Sequence, residues 1–131
     1  MASRYPNHPQ PLWNLPGGRQ DPGELLPDTL TREFAEETGL RIAVGGLVYL
    51  SESYDGPTHF TNSTFAVSAS GEPRLPRDDA HVVALKWVRA DLIAQTISVT
   101  VVREPLVSFL GGSPLAYYGY AQAGVSIEFA D

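Results

Sequence analysis

The chain contains no cysteine, which excludes disulfides and thiolate metal sites. Positive charge is also scarce. Lys and Arg number 9 against 15 Asp and Glu, giving a net charge of −6 and a sequence pI near 4.9. That balance opposes binding to a nucleic acid polymer or an anionic membrane, both of which need clustered basic residues. It does not oppose a small nucleotide whose phosphates are screened by bound metal. No basic-then-apolar leader and no apolar run of about 18 residues occurs. The expectation is therefore a cytoplasmic protein, and Asn62-Ser63-Thr64 carries no weight as a glycosylation acceptor. No G-x4-G-K-[ST] and no G-x-S-x-G sequence is present, so P-loop and serine-hydrolase readings fall away. His8, His59 and His81 lack metal-ligand spacing.

What remains is an ordinary globular composition, 43% hydrophobic and 18% charged over 131 residues. It predicts one domain spanning residues 1–131. Within it, Gly18-x5-Glu24-x7-Arg32-Glu33-Phe34-x-Glu36-Glu37-x-Gly39-Leu40 fixes nine positions over 23 residues. The stretch around Arg32 to Thr38 favours a helix, predicted at about residues 28–38. Pro27 suits its first turn, Asp28 its positive end, and Gly39 the left-handed residue that ends many helices. On that helix Glu33, Glu36 and Glu37 fall at i, i+3 and i+4, so three carboxylates share one face. Their mutual repulsion would be relieved by a hard divalent cation such as Mg²⁺. Gly17-Gly18 and Pro22-Gly23 permit tight turns before the helix. The competing reading is a solvated helix face in which Arg32 pairs with Glu36.

This motif, preceded by Leu15-Pro16-Gly17-Gly18, resembles the Nudix box of hydrolases that cleave nucleoside diphosphates linked to another moiety. The resemblance implies an α/β fold, the Nudix-type α/β/α sandwich with a mixed β-sheet. It implies that Glu33, Glu36 and Glu37 bind metal together with the Gly17 carbonyl, and that Glu24 and Arg32 pair to orient the glutamate helix. Mg²⁺ would be the cofactor, with Mn²⁺ as substitute, and a small nucleotide the substrate. Water would attack phosphorus. Glu33 is the general-base candidate inside the box, and Glu72, Asp78 and Asp79 are candidates in a later loop. Tyr5, Trp13, Tyr49, Tyr54 and Phe60 are candidates to stack on a base, although strand aromatics usually serve the core. Tyr54 and Pro57 follow Leu40 by 14 and 17 positions, near but not on spacings that mark subfamilies. The rival class is a sensor that binds metal and nucleotide without turnover, or a truncated, inactive domain.

Further along, strands are expected at 41–53, with a bulge at Gly45-Gly46, at 58–68 and at 81–88. A short turn or helix follows at about 91–96, then a helix at 101–110 in which Pro105 lies near the first turn or kinks it. Final strands are expected at 115–120 and 125–129. Residues 1–27 hold six of the eleven prolines and read as an extended entry. Only 14 residues precede Leu15, so the expectation is that the family's usual N-terminal strand or strands are cut to a remnant at Arg4-Tyr5. Three outcomes are open: a truncated or misassigned reading frame, a homodimer completing the sheet, or the 125–129 strand filling the vacant place.

Overall fold

The computed structural model describes residues 1–78 and 81–124. Two three-stranded sheets carry the chain. The smaller one, in the order β2-β1-β5, pairs β1 (Ala2–Ser3) antiparallel with both β2 (Leu12–Trp13) and β5 (Val82–Ala84). The larger, in the order β4-β3-β6, is mixed. In it β3 (Arg41–Asp55) forms a long antiparallel hairpin with β4 (Thr58–Ser70), and β6 (Ala116–Gly119) runs parallel to β3.

Helix α1 (Leu26–Thr38) precedes the hairpin. Its start lies two residues earlier than the sequence suggests, because the Asp28 carboxylate accepts the Leu25 N–H at 3.1 Å and Pro27 is accommodated in the first turn. Gly39 closes it with a φ of 72°, and its N–H reaches the Ala35 carbonyl at 3.1 Å. After β5 come a 3₁₀ turn (Ala90–Leu92), the short α2 (Ile93–Thr96) and α3 (Thr100–Leu110). Pro105 sits inside α3 rather than in its first turn, fully buried. Among the described residues, no helix is long and apolar enough to cross a membrane.

Alternation along β3 places Tyr49, Ser51 and Ser53 on one buried face. Tyr49 anchors the core with Ile93, Ile97 and Leu106, and meets Tyr118 edge-on at 6.0 Å between ring centroids. Burying a side chain of that size contributes about 1.5–3 kcal/mol. The expected irregularity at Gly45-Gly46 is present, since the β3–β4 register shifts between Val44 and Leu47. At the far end Asp55 pairs with Thr58, leaving a two-residue loop that opens on Gly56 with a φ of 56°.

Several expectations need correction. The entry segment is not wholly irregular, since β1 and β2 lie within it; Ala2–Ser3, not Arg4-Tyr5, supplies the strand. β5 ends at Ala84 rather than at Val88, because its neighbour β1 offers only a two-residue ladder. Beyond it Leu85 to Val88 border an apolar cavity of about 310 Å³, together with Phe34 and Leu40. The final strand proposed at 125–129 lies outside the described residues. Within them, the strand beside β3 on the edge opposite β4 is β6, and two more hydrogen bonds extend that line. They run from Tyr120 N–H to the Glu52 carbonyl (2.9 Å) and from Ala123 N–H to the Tyr54 carbonyl (2.7 Å).

Candidate active site

One guanidinium organises the helix α1 surface. Arg32 reaches back two turns and grips Glu24 through both oxygens, Nε to Oε2 at 2.8 Å and Nη2 to Oε1 at 3.0 Å. Such a two-point contact fixes orientation as well as distance. Nη2 also donates to the Arg19 carbonyl at 3.0 Å, and Nη1 donates to Glu33 at 2.8 Å and Glu36 at 3.3 Å. Glu24 is further held by the Asp21 N–H at 2.9 Å and the Thr29 hydroxyl at 3.1 Å. These hydrogen bonds, Arg32 foremost, keep the Glu24 carboxyl at about 2, below its ordinary 4.5.

The glutamates then meet the glycine turn. The Gly17 N–H donates to Glu37 Oε1 at 2.9 Å. The Glu33 carboxylate lies directly over Gly18, so a Cβ there would push this flexible side-chain end out of its place. Burial pushes the Glu33 carboxyl upward, and Arg32 pulls against that shift. Glu36 is the open member, its side chain 59% exposed.

Helix α1 thus separates two chemistries. Glu33 and Glu37 meet the Gly17-Gly18 turn and Glu36 stands open beside Arg32, while Phe34 borders the apolar cavity with Leu15 and Leu40. By donor type, three carboxylates and a turn carbonyl suit a hard divalent ion. Among the described residues, no three carboxylates or histidines already converge on one point; Arg32 provides the balancing charge at Glu33 and Glu36.

The other candidates are scattered. Glu72 and Asp78 are exposed in the loop after β4, and Asp79 lies outside the described residues. That loop is tied to the helix end by the Arg74 N–H, which donates to the Thr38 carbonyl at 2.7 Å. Among the stacking candidates, Tyr49 is 3% exposed and belongs to the core, so it offers no face to a base. Trp13 lies under the Lys86 ammonium, 4.5 Å from the ring centroid. Phe60 is half-buried. Tyr5 receives a hydrogen bond from the Asn14 amide at 2.6 Å. Tyr54, 41% exposed, stacks on His59 at 4.7 Å. His59 in turn contacts Glu52 at 2.6 Å, and Tyr117 donates to the same carboxylate.

Sequence reasoning overlooked Asn14. Its Oδ1 accepts the Leu15 N–H at 2.7 Å while its amide holds Tyr5, so it joins the entry segment to the glycine turn. No spacing rule marks it; its place directly before Leu15-Pro16 was the available hint.

An α/β fold with a glutamate helix folded over a Gly-Gly turn defines a class, and the family model of the NUDIX domain matches residues 1–108. The chain belongs to that family. It is 38% identical over 80 residues to the Bacillus subtilis (strain 168) protein named "Putative 8-oxo-dGTP diphosphatase", covering 60% of this chain and 50% of that one. It is 26% identical over 102 residues to mouse "Nucleoside diphosphate-linked moiety X motif 6", covering 76% of this chain and 33% of that protein. The chain therefore spans half or less of the length of these relatives. A NUDIX hydrolase crystal structure from Nitrosomonas europaea superposes with a TM-score of 0.64 at 17% identity, over 92% of this chain and 70% of that one. That likeness concerns the fold.

Proposed function

We propose that this chain is a metal-dependent pyrophosphohydrolase acting on a nucleoside diphosphate linked to another moiety. The observation that carries this reading is the Arg32-centred lattice, which presents Glu33 and Glu37 against the Gly17-Gly18 turn. Glu33, Glu36, Glu37 and the Gly17 carbonyl would hold Mg²⁺ or Mn²⁺. When bound, the ion neutralises diphosphate charge and makes a water more acidic.

The chain's own groups do the rest. Glu24 and Arg32 keep the helix face in register with the turn. Glu33, the base candidate inside the box, takes a proton as the water oxygen bonds to phosphorus and the bond to the bridging oxygen breaks. Products are a nucleoside monophosphate and phosphate, pyrophosphate or a phosphorylated moiety.

The test is turnover. The purified chain is incubated with Mg²⁺ or Mn²⁺ and nucleoside triphosphates, 8-oxo-dGTP, ADP-ribose, nucleotide sugars or dinucleoside polyphosphates, beside Glu37→Gln. Hydrolysis of one class, reduced about 100-fold or more in the variant, is the expected result. A folded chain that binds nucleotide but turns over none of these would instead be a sensor.

A further inference from the structure

Strand β4 forms an outer edge of the larger sheet, and it is a long one. It runs for 13 residues, Thr58–Ser70, or about 43 Å at the rise of a strand. The other outer strands are short: β6 has four residues, β5 three and β2 two. In an antiparallel ladder only every other residue turns its backbone toward the neighbour. About half the N–H and C=O groups of β4 therefore point away from β3. Among the described residues, none of residues 59–70 has a backbone partner outside that ladder. No residue of β4 is buried, and Asn62, Ala66 and Ser68 to Ser70 are exposed.

Long edges are normally defended by charge, proline or a bulge. β4 carries none of these. Residues 56–71 contain no Asp, Glu, Lys or Arg, and Pro57 stands before the strand, not in it. His59 lies near the hairpin tip and is held by Glu52 at 2.6 Å. The two register shifts of the hairpin, Val44 to Leu47 against Val67 to Phe65 and Leu47 to Tyr49 against Phe65 to Thr64, both put the extra residue on β3. β4 is left continuous.

In a chain of net charge −6, this neutrality points to one kind of partner. Two identical chains repel as wholes, and a two-fold interface brings each charge near its like. A seam without formal charge escapes that local penalty. A strongly basic or acidic partner would find no countercharge on β4. The length fits as well. Two such edges in full antiparallel overlap would exchange about a dozen backbone hydrogen bonds, and a typical specific interface has about ten.

From the sequence, a homodimer was one way to complete the sheet beside β3. β6 holds that place, so β4 is the long edge that remains. We infer that β4 pairs antiparallel with β4 of a second copy, joining the two larger sheets in the order β6-β3-β4-β4-β3-β6. The contact is isologous and closes at two, since it uses the long edge of each copy. It goes beyond the hydrolase reading and does not depend on it.

The experiment is sedimentation equilibrium of the full chain across about 1–100 µM, a range that reveals a Kd of micromolar order. Asn62 and Ala66 are exposed, share one face by alternation and flank the strand's midpoint at Thr64. Asn62→Lys with Ala66→Lys, and Asn62→Glu with Ala66→Glu, each place like charges across the seam. The parent should dimerise. Each double variant should raise the dimer Kd at least about tenfold, and an equal mixture of the two should recover dimer at parental concentration. If either double variant does not fold, single cysteines decide, since the parent chain has none. A bismaleimide should capture Asn62→Cys as a covalent dimer and leave Ala94→Cys, exposed on α2, as monomer. A parent that stays monomeric overturns the inference, and so does growth beyond two copies. A dimer indifferent to both charge sets, a mixture that recovers nothing, or no capture at Asn62→Cys overturns it equally. Turnover tests the hydrolase reading separately, so the two can fail independently.

Discussion

Helices α1 and α3 both pack against β3, but they are held by different physics. α3 is attached through Leu106, buried in the core cluster, with Val102 and Phe109 against it. α1 carries on one side a lattice of charged hydrogen bonds centred on Arg32. Apolar packing depends on volume and tolerates a change of shape; a fixed guanidinium–carboxylate geometry does not. A helix of the first kind is fixed by what it buries, and one of the second kind by the arrangement of its charged side chains.

The largest effect that would sharpen this contrast is Leu106→Ala, expected to cost about 2–5 kcal/mol of stability. Chemical denaturation should register it, with kcat of the folded fraction unchanged. Gly18→Ala should behave in the opposite way. The added methyl meets only the flexible end of Glu33, so the unfolding midpoint should move little while activity falls about 10- to 100-fold. A loss of stability without a loss of activity would break the comparison. Leu106→Met, conserving volume, should cost less than about 1.5 kcal/mol.

The smallest effect is a pH dependence. Glu24 titrates at about 2 in the fold against an ordinary 4.5, so its stabilising contribution is complete above about 4.5. It should fade as pH falls from there through about 2. Thermal melts of the parent and of Arg32→Ala across that interval should converge at the acid end. Parallel curves would mean that the Glu24–Arg32 pair contributes nothing to folding.

The contrast also explains what was legible in the sequence. The Gly18-to-Leu40 spacing announces α1 because its residues meet within one local segment, Arg32 with Glu24 and Glu33 with Gly18. The Gly45-Gly46 irregularity was readable for the same local reason. The entry strands were not. A two-residue strand has no period to detect, and β1 exists because distant partners meet it, as when the Asn14 N–H donates to the Met1 carbonyl at 2.8 Å and the Arg4 N–H to that of His81 at 2.8 Å. Tyr49 and Tyr54 looked alike as strand aromatics; only the packing of α2 and α3 on one face of β3 makes the first core and leaves the second exposed.

Arg32 has one more consequence, for how this surface is dissected. One side chain serves Glu24, Glu33, Glu36 and the Arg19 carbonyl at once, so its pairwise couplings are not independent quantities. Double-mutant cycles on any two of these partners will return an energy that depends on whether the third is present. The meaningful unit of measurement is the whole cluster, and a triple cycle over Glu24, Arg32 and Glu33 is the smallest experiment that treats it as one.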